Sequence, residues 1–294
     1  MNIFLLSIQL LLPVRADSVP VYFPYSIKEP ASSFDWKKIE LSLPQRYKDS
    51  VLSASDLQCP WCSDAMDPAL ARKEFKRSFH FAELNGDGLP DLIYEGRSGG
   101  EANMVHFYLN RKYKMEWVFT DYQYLMDMQF RNNTLLSFVI FNQGCCAETV
   151  EFERHFAVDS LFHCRLTIQR AILQGMKVSD RHYGHPDGFF DRPVKFRILN
   201  PEYTLRYSPG IIDTLPDDVD FTERDKKNGN IIARYPTGSR GFAWAYKKDT
   251  TGREWWLVEM EPAVFLSYKM FYDYDDKLTH YYGWMSSRFL EKLP

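Results

Sequence analysis

The chain has 294 residues, with 36 Lys or Arg against 39 Asp or Glu, a formal charge of −3, and 16% aromatic residues that include 18 Tyr. A chain this aromatic and this nearly neutral is organised around buried apolar surface, which excludes the disordered class. It lacks the cationic excess that marks a nucleic-acid-binding protein.

Residues 1–16, MNIFLLSIQLLLPVRA, predict a cleaved secretory signal: an apolar core of roughly ten residues, followed by Val14 and Ala16 as small residues at the minus-three and minus-one positions. The run is shorter than the about 20 apolar residues a membrane span needs. The mature chain is therefore expected to be periplasmic or extracellular, with no transmembrane span. In that oxidising setting its five cysteines are expected to pair and leave one over. The simplest pairing joins Cys59 to Cys62 and Cys164 to either Cys145 or Cys146.

Residues 17–65 are rich in Pro and Ser and are expected to lie over the surface of a first domain, spanning 17–190. Asp67 and Pro68 then supply an N-cap and a first-turn proline for a short helix, ALARKEFKRSF. Its cations Arg72, Lys73, Lys76 and Arg77 read as a solvated face. From Phe79 the period changes to two, through FHFAEL, DLIYEG, MVHFYLN, YKMEWVF, LLSFVIF, ETVEFERHFAV and LFHCRLTI. Short alternating runs separated by turn residues predict an antiparallel meander with no helix between strands, and Asp159-Ser160 suits a hairpin turn.

The string FAELNGDGLPDLIYEG carries the densest local chemistry. Oxygen donors stand at Glu83, Asn85, Asp87 and Asp91, loop positions one, three, five and nine, with Leu89 able to offer its carbonyl from position seven and Gly88 at the sharp turn. Calcium takes six to eight hard oxygens, and this spacing can converge them. The alternative is an Asn-Gly, Asp-Gly turn with solvated charges. The loop resembles the aspartate-rich calcium loop of the FG-GAP or VCBS type, with Glu83 where that pattern has Asp. The resemblance covers one copy, so it implies a structural calcium ion that clips a strand junction and not a repeat architecture.

A polar break, Gly175 to Asp191, marks the expected domain boundary. It holds His182, His185, Asp187 and Asp191, a set able in principle to ligate zinc, though a solvated linker reads better than a metal site. Beyond it, 191–294 carries a second β region: VKFRIL, TLRYSPG, NIIARYP, FAWAYKK, REWWLVEM and GWMSSRFL. In order and spacing TLRYSPG, Gly229 to Ala233, YPTGSRG, GREWWLVEM and the closing GWMSSRFL resemble the bacterial SH3-like domain of exported proteins. That resemblance implies a small β-barrel and a binding role through an aromatic-lined groove, with Tyr207, Tyr235, Trp244, Trp256 and Trp284 as candidates. Trp255 and Trp256 are adjacent in a strand, so one is expected in the core and the other at a surface.

Cys59-Pro-Trp-Cys62 has redox spacing but lacks the helix placement a reactive thiolate needs, so a structural bridge is expected. No GxSxG elbow or P-loop occurs. The whole predicts a mainly β, non-catalytic exported binding protein, an N-terminal antiparallel β domain with a short helix followed by the SH3-like barrel. Its expected partner is a peptidoglycan fragment or an envelope protein. An inhibitor or immunity-type protein, or a metal-dependent hydrolase, are the alternatives.

Overall fold

The computed structural model describes residues 34–53, 57, 59, 61–63, 65–100, 102–112, 114–143, 150–173, 186–213, 227–263, 265–269 and 277–294. The expected signal, Cys145, Cys146, His182 and His185 lie outside the described residues. The protein is mainly β, and nearly all of its strand pairing is antiparallel.

After a 3-10 turn at Trp36–Lys38 come two helices, α1 (Gln45–Leu52) and α2 (Pro68–Arg77). The predicted cap holds α2: the Asp67 carboxylate accepts from the amides of Ala69 and Leu70, both at 3.0 Å. Strands β1 (Phe79–Ala82), β2 (Asp91–Arg97), β3 (Asn103–Asn110) and β4 (Met115–Tyr122) form one sheet in sequence order. Gln123, at φ 88°, turns the chain, and β5 (Tyr124–Arg131), β6 (Thr134–Gln143), β7 (Val150–Val158) and β8 (Cys164–Leu173) continue in a second sheet. The meander thus folds over at a single residue.

Alternation on each strand sends one set of apolar side chains between the two sheets. Ile93, Val105, Phe107 and Leu109 from the first sheet meet Leu125, Leu135, Phe138, Ile140 and Phe156 from the second. Phe107, Phe119 and Phe156 surround Phe138 at ring separations of 4.8, 4.7 and 4.9 Å. The other face of the first sheet is covered by Ala71 and Phe75 of α2 and by the Cys59–Cys62 turn. The predicted Asp159 turn is present, with the carboxylate accepting from the amides of Leu161 and His163 at 2.9 Å.

The C-terminal half consists of β9 (Gly188–Ile198), β10 (Glu202–Arg206), β11 (Ile231–Pro236), β12 (Arg240–Lys248), β13 (Glu254–Met260), β14 (Tyr268–Lys269), β15 (Thr279–Ser286) and β16 (Leu290–Lys292). The order β16-β9-β12-β13-β15 is extended by β10, β11 and β14, and these ladders leave an open sheet, not a closed barrel, among the described residues. Strand β9 begins at Gly188, so Asp191, expected in a linker, sits in a strand.

Strand β15 joins the halves. Its first residues, Thr279 to Tyr281, pair in parallel with Gln169 to Ala171 of β8, and Trp284 then pairs with Arg206 of β10. At Gly283, between these partners, an added Cβ would stand 2.7 Å from the Arg206 carbonyl. Glycine is required there because β10 approaches so closely.

Candidate functional site

The Glu83–Asp91 loop is held together by its own amides. Glu83 Oε1 accepts from Gly86 N at 2.8 Å, Asn85 Oδ1 from Asp87 N at 3.0 Å, and Asp87 Oδ1 from Leu89 N at 2.8 Å. Gly86 and Gly88 take left-handed φ of 78° and 80°, which L side chains adopt only with strain. Asp91 departs from the ligand role expected of it. It is fully buried, and its two oxygens accept from Leu84 N and Asn110 N, each at 2.8 Å, tying β2 to the segment that leaves β1 and to the end of β3. Burial pushes its carboxyl up to about 7; the two amides oppose the shift, while the charges of Glu83 and Asp87 add to it. Among the described residues no three His, Cys, Asp or Glu side chains converge at metal-binding distance. Asp91 therefore does not fit a calcium shell in this arrangement, which leaves Glu83, Asn85, Asp87 and Leu89, all outside the buried core, as the remaining donors.

The five aromatics expected to line a groove are core residues: Tyr207, Tyr235, Trp244, Trp256 and Trp284 are all buried. Their burial corrects the expectation of an open aromatic surface. Trp255 and Trp256 are both inside as well, because β13 is a central strand covered on both faces. Trp256 lies under Phe190 and Phe196, with Lys292 over its ring at 5.4 Å. Trp255 is closed off by the β12–β13 turn, where its Nε1 donates to Asp249 Oδ2 at 3.0 Å.

Cys59 and Cys62 form the expected disulfide. Cys164 does not form its expected bridge and carries a free thiol, its pKa pushed up to about 12 by burial. Its expected partners Cys145 and Cys146 lie outside the described residues; Cys164 itself pairs with Val158 at the start of β8. Asp187, expected in the His-acid cluster, instead accepts from the amide of Lys248 at 2.8 Å and caps the β12 end.

Two features that the local sequence did not flag as sites stand out. The first is a buried ionic junction between the halves. Arg170 of β8 donates to Glu153 of β7 at 2.6 Å and to Glu259 of β13 at 3.2 Å. Tyr282 donates to the other oxygen of Glu259, and His280 Nδ1 stands 3.0 Å from Glu259 Oε1, close enough for an ion pair though not aligned as a hydrogen bond. His155 lies 2.6 Å from Glu153. Burial by itself would raise the Glu259 carboxyl, but the nearby His280, Arg170 and Tyr282 outweigh it and hold the value at about 2. Acids, a cation and imidazoles are the materials of acid-base chemistry, yet Glu153, Arg170 and Glu259 are all at most 4% exposed.

The second is an open groove of about 620 Å³ between α1 and α2. Lys48 comes from α1; Arg72, Lys73, Lys76 and Arg77 come from one side of α2; Leu52, Phe79 and Phe81 supply apolar surface; and Asp49 is the one lining carboxylate among the described residues. Lys48 reaches Glu40 at 3.4 Å, and Glu74, the acid of α2, turns away to Arg97 at 3.6 Å. The helix therefore carries like charges four residues apart at 72/76 and 73/77, an arrangement that costs an isolated helix about 0.2–0.5 kcal/mol per pair. The dipole at the C-terminal end offsets this for Lys76 and Arg77, but not for Arg72 and Lys73.

No family model, curated protein or solved structure matches the chain. The choice between the sealed junction and the open groove therefore rests on their geometry. Catalysis needs a reacting atom within about 3 Å of its acid or base, and the junction's groups spend that reach on one another. The groove offers its charges outward.

Proposed function

We propose that the protein is a non-catalytic exported binding protein that contacts cell-wall material or another envelope protein. The carrying observation is a contrast: the acids, cation and imidazoles of the junction are engaged with one another, while the open groove presents five cations against one carboxylate. The N-terminal signal pattern supports export, and the SH3-like resemblance of 191–294 supports a binding role, although its aromatics serve the core. No helix among the described residues is long and apolar enough to cross a membrane.

Calcium enters this reading as a structural clip. Glu83, Asn85, Asp87 and the Leu89 carbonyl would hold it, since each engaged side-chain oxygen keeps a second lone pair, and water would complete the shell. The ion would strengthen the loop between β1 and β2 and takes no part in binding a partner.

Co-sedimentation of the mature chain with purified cell-wall sacculi, run beside cross-linking in envelope extract, tests the binding role. Retention on sacculi or a stoichiometric envelope complex is expected. Failure of both overturns the binding reading, and metal-dependent turnover of wall material lost on replacing His182 or His185 overturns its non-catalytic part.

A further inference from the structure

We propose that the groove between α1 and α2 takes an extended acidic peptide segment of a partner protein, with carboxylates at alternate positions seated on the cations of α2. This rests on the binding reading above and names the chemistry its open surface recognises. Arg72 and Lys76, and likewise Lys73 and Arg77, are separated by four residues of helix, a rise of about 6 Å. In an extended chain, alternate residues share a face and stand about 6.6 Å apart. Carboxylates two residues apart therefore match cations four residues apart on the helix, and two such rows lie side by side on α2. The intervening residues of the peptide turn toward Leu52, which is half-buried, above the buried rings of Phe79 and Phe81 at the groove floor.

Charge distribution favours the same ligand class. The molecule as a whole is at −3, yet the groove gathers five cations with one acid, so an anionic segment is drawn to this surface and repelled from most others. A nucleic acid duplex presents a charge about every 1.7 Å along its axis, and the cationic row of α2 is about 8 Å long, too short to follow it. A bilayer is flat, whereas these cations line a concavity between two helices.

Fluorescence anisotropy with a labelled dodecapeptide of alternating Asp and Ala, added to the mature full chain at neutral pH and low salt, tests the proposal. Saturable, salt-sensitive binding is expected, and the Asn-Ala counterpart should not bind. Lys73→Glu combined with Arg77→Glu should weaken binding about tenfold or more, with the fold retained by circular dichroism and at most a small drop in melting temperature from the acid placed in the last turn of α2, because both residues are exposed. Lys73→Arg with Arg77→Lys should retain it. Absence of saturable binding by the wild type, equal binding by the charge-reversed variant, or binding only to polyphosphate or to anionic vesicles overturns the inference. The same variant is also taken through the sacculus and envelope assays: if it is retained like the wild type, the groove proposal fails and the binding reading stands, whereas a wild type retained by neither fails the reading itself.

Discussion

Removing the Arg170 guanidinium is the sharpest test of how the two halves are held together. In Arg170→Met the aliphatic bulk remains, but Glu153 and Glu259, which are 0% and 2% exposed, lose the cation they share. Breaking a buried pair by removing one partner costs about 3–5 kcal/mol, most of it the penalty of a stranded charge. Two carboxylates lose that cation here, while Glu259 keeps Tyr282 and His280 and Glu153 keeps His155, so a loss within that range is expected at pH 7. Urea unfolding followed by tryptophan fluorescence and far-UV circular dichroism measures it. Because Arg170 and Glu153 belong to the N-terminal half and Glu259 to the C-terminal half, the variant should also unfold in two steps where the wild type unfolds in one. The deficit should shrink as pH is lowered from 7 toward 5, since a buried carboxylate without its cation takes up a proton readily. Adding Glu153→Gln and Glu259→Gln to Arg170→Met should recover much of the loss by removing the stranded charges with the cation. A loss below about 1 kcal/mol, the range of exposed pairs, together with a single transition, would refute the view of the junction as a sealed lock.

The intact junction predicts a specific acid sensitivity. Glu259 titrates near 2 when folded, below its ordinary 4.5, so its contribution is complete above about 4.5 and is lost as pH falls toward 2, roughly 3 kcal/mol in all; Glu259→Gln should flatten that limb of a stability-versus-pH curve. Asp91→Ala should cost about 2–4 kcal/mol in the same assay, because the buried amides of Leu84 and Asn110 each lose their acceptor. Calcium should raise the melting temperature and a chelator should lower it, by an amount equivalent to about 2.7 kcal/mol at a hundredfold excess over Kd. No response in the wild type, or the same response in Asp87→Ala, would sink the calcium clip.

Much of the fold is legible locally. Alternation predicts the strands, Asp67-Pro68 the start of α2, and Asp159 the β7–β8 turn, because each depends on residues within a few positions of one another. Helix α1 is not legible: it has no side-chain cap and no buried residue, so neither of the usual signals is present in the sequence. The fold-over at Gln123 is equally hidden, since no glycine marks its positive φ. The adjacent tryptophans of β13 illustrate a different limit. Alternation assigns them to opposite faces correctly, but whether a face meets solvent depends on Phe190, Phe196 and the Asp249 turn, all supplied by other segments. For the site the gap is wider. Arg170 finds its acids 17 and 89 residues away, and the cations of α2 become a groove only because α1 lies opposite them.

The calcium-type loop shows how one sequence pattern can serve the scaffold at more than one level. Its glycines permit the turn, and its first three donors satisfy amides inside it, but its last acid turns into the core and ties β2 to Leu84 at the start of the loop and to the end of β3. The Leu84 carbonyl accepts from the Leu135 amide at 2.8 Å, while Asn85 bridges to Thr134 on the facing hairpin of the second sheet. The loop is thus a fastening between the two sheets of the N-terminal half, as the Arg170 junction is between the two halves of the chain. Both fastenings bury carboxylates and engage them from within the molecule, with both oxygens of Asp91 and of Glu259 taken up. The cations of α2 are treated in the opposite way, since they are crowded at a spacing that weakens their own helix and are left facing outward. A partner's carboxylates would supply there the kind of satisfaction that Asp91 and Glu259 already receive inside.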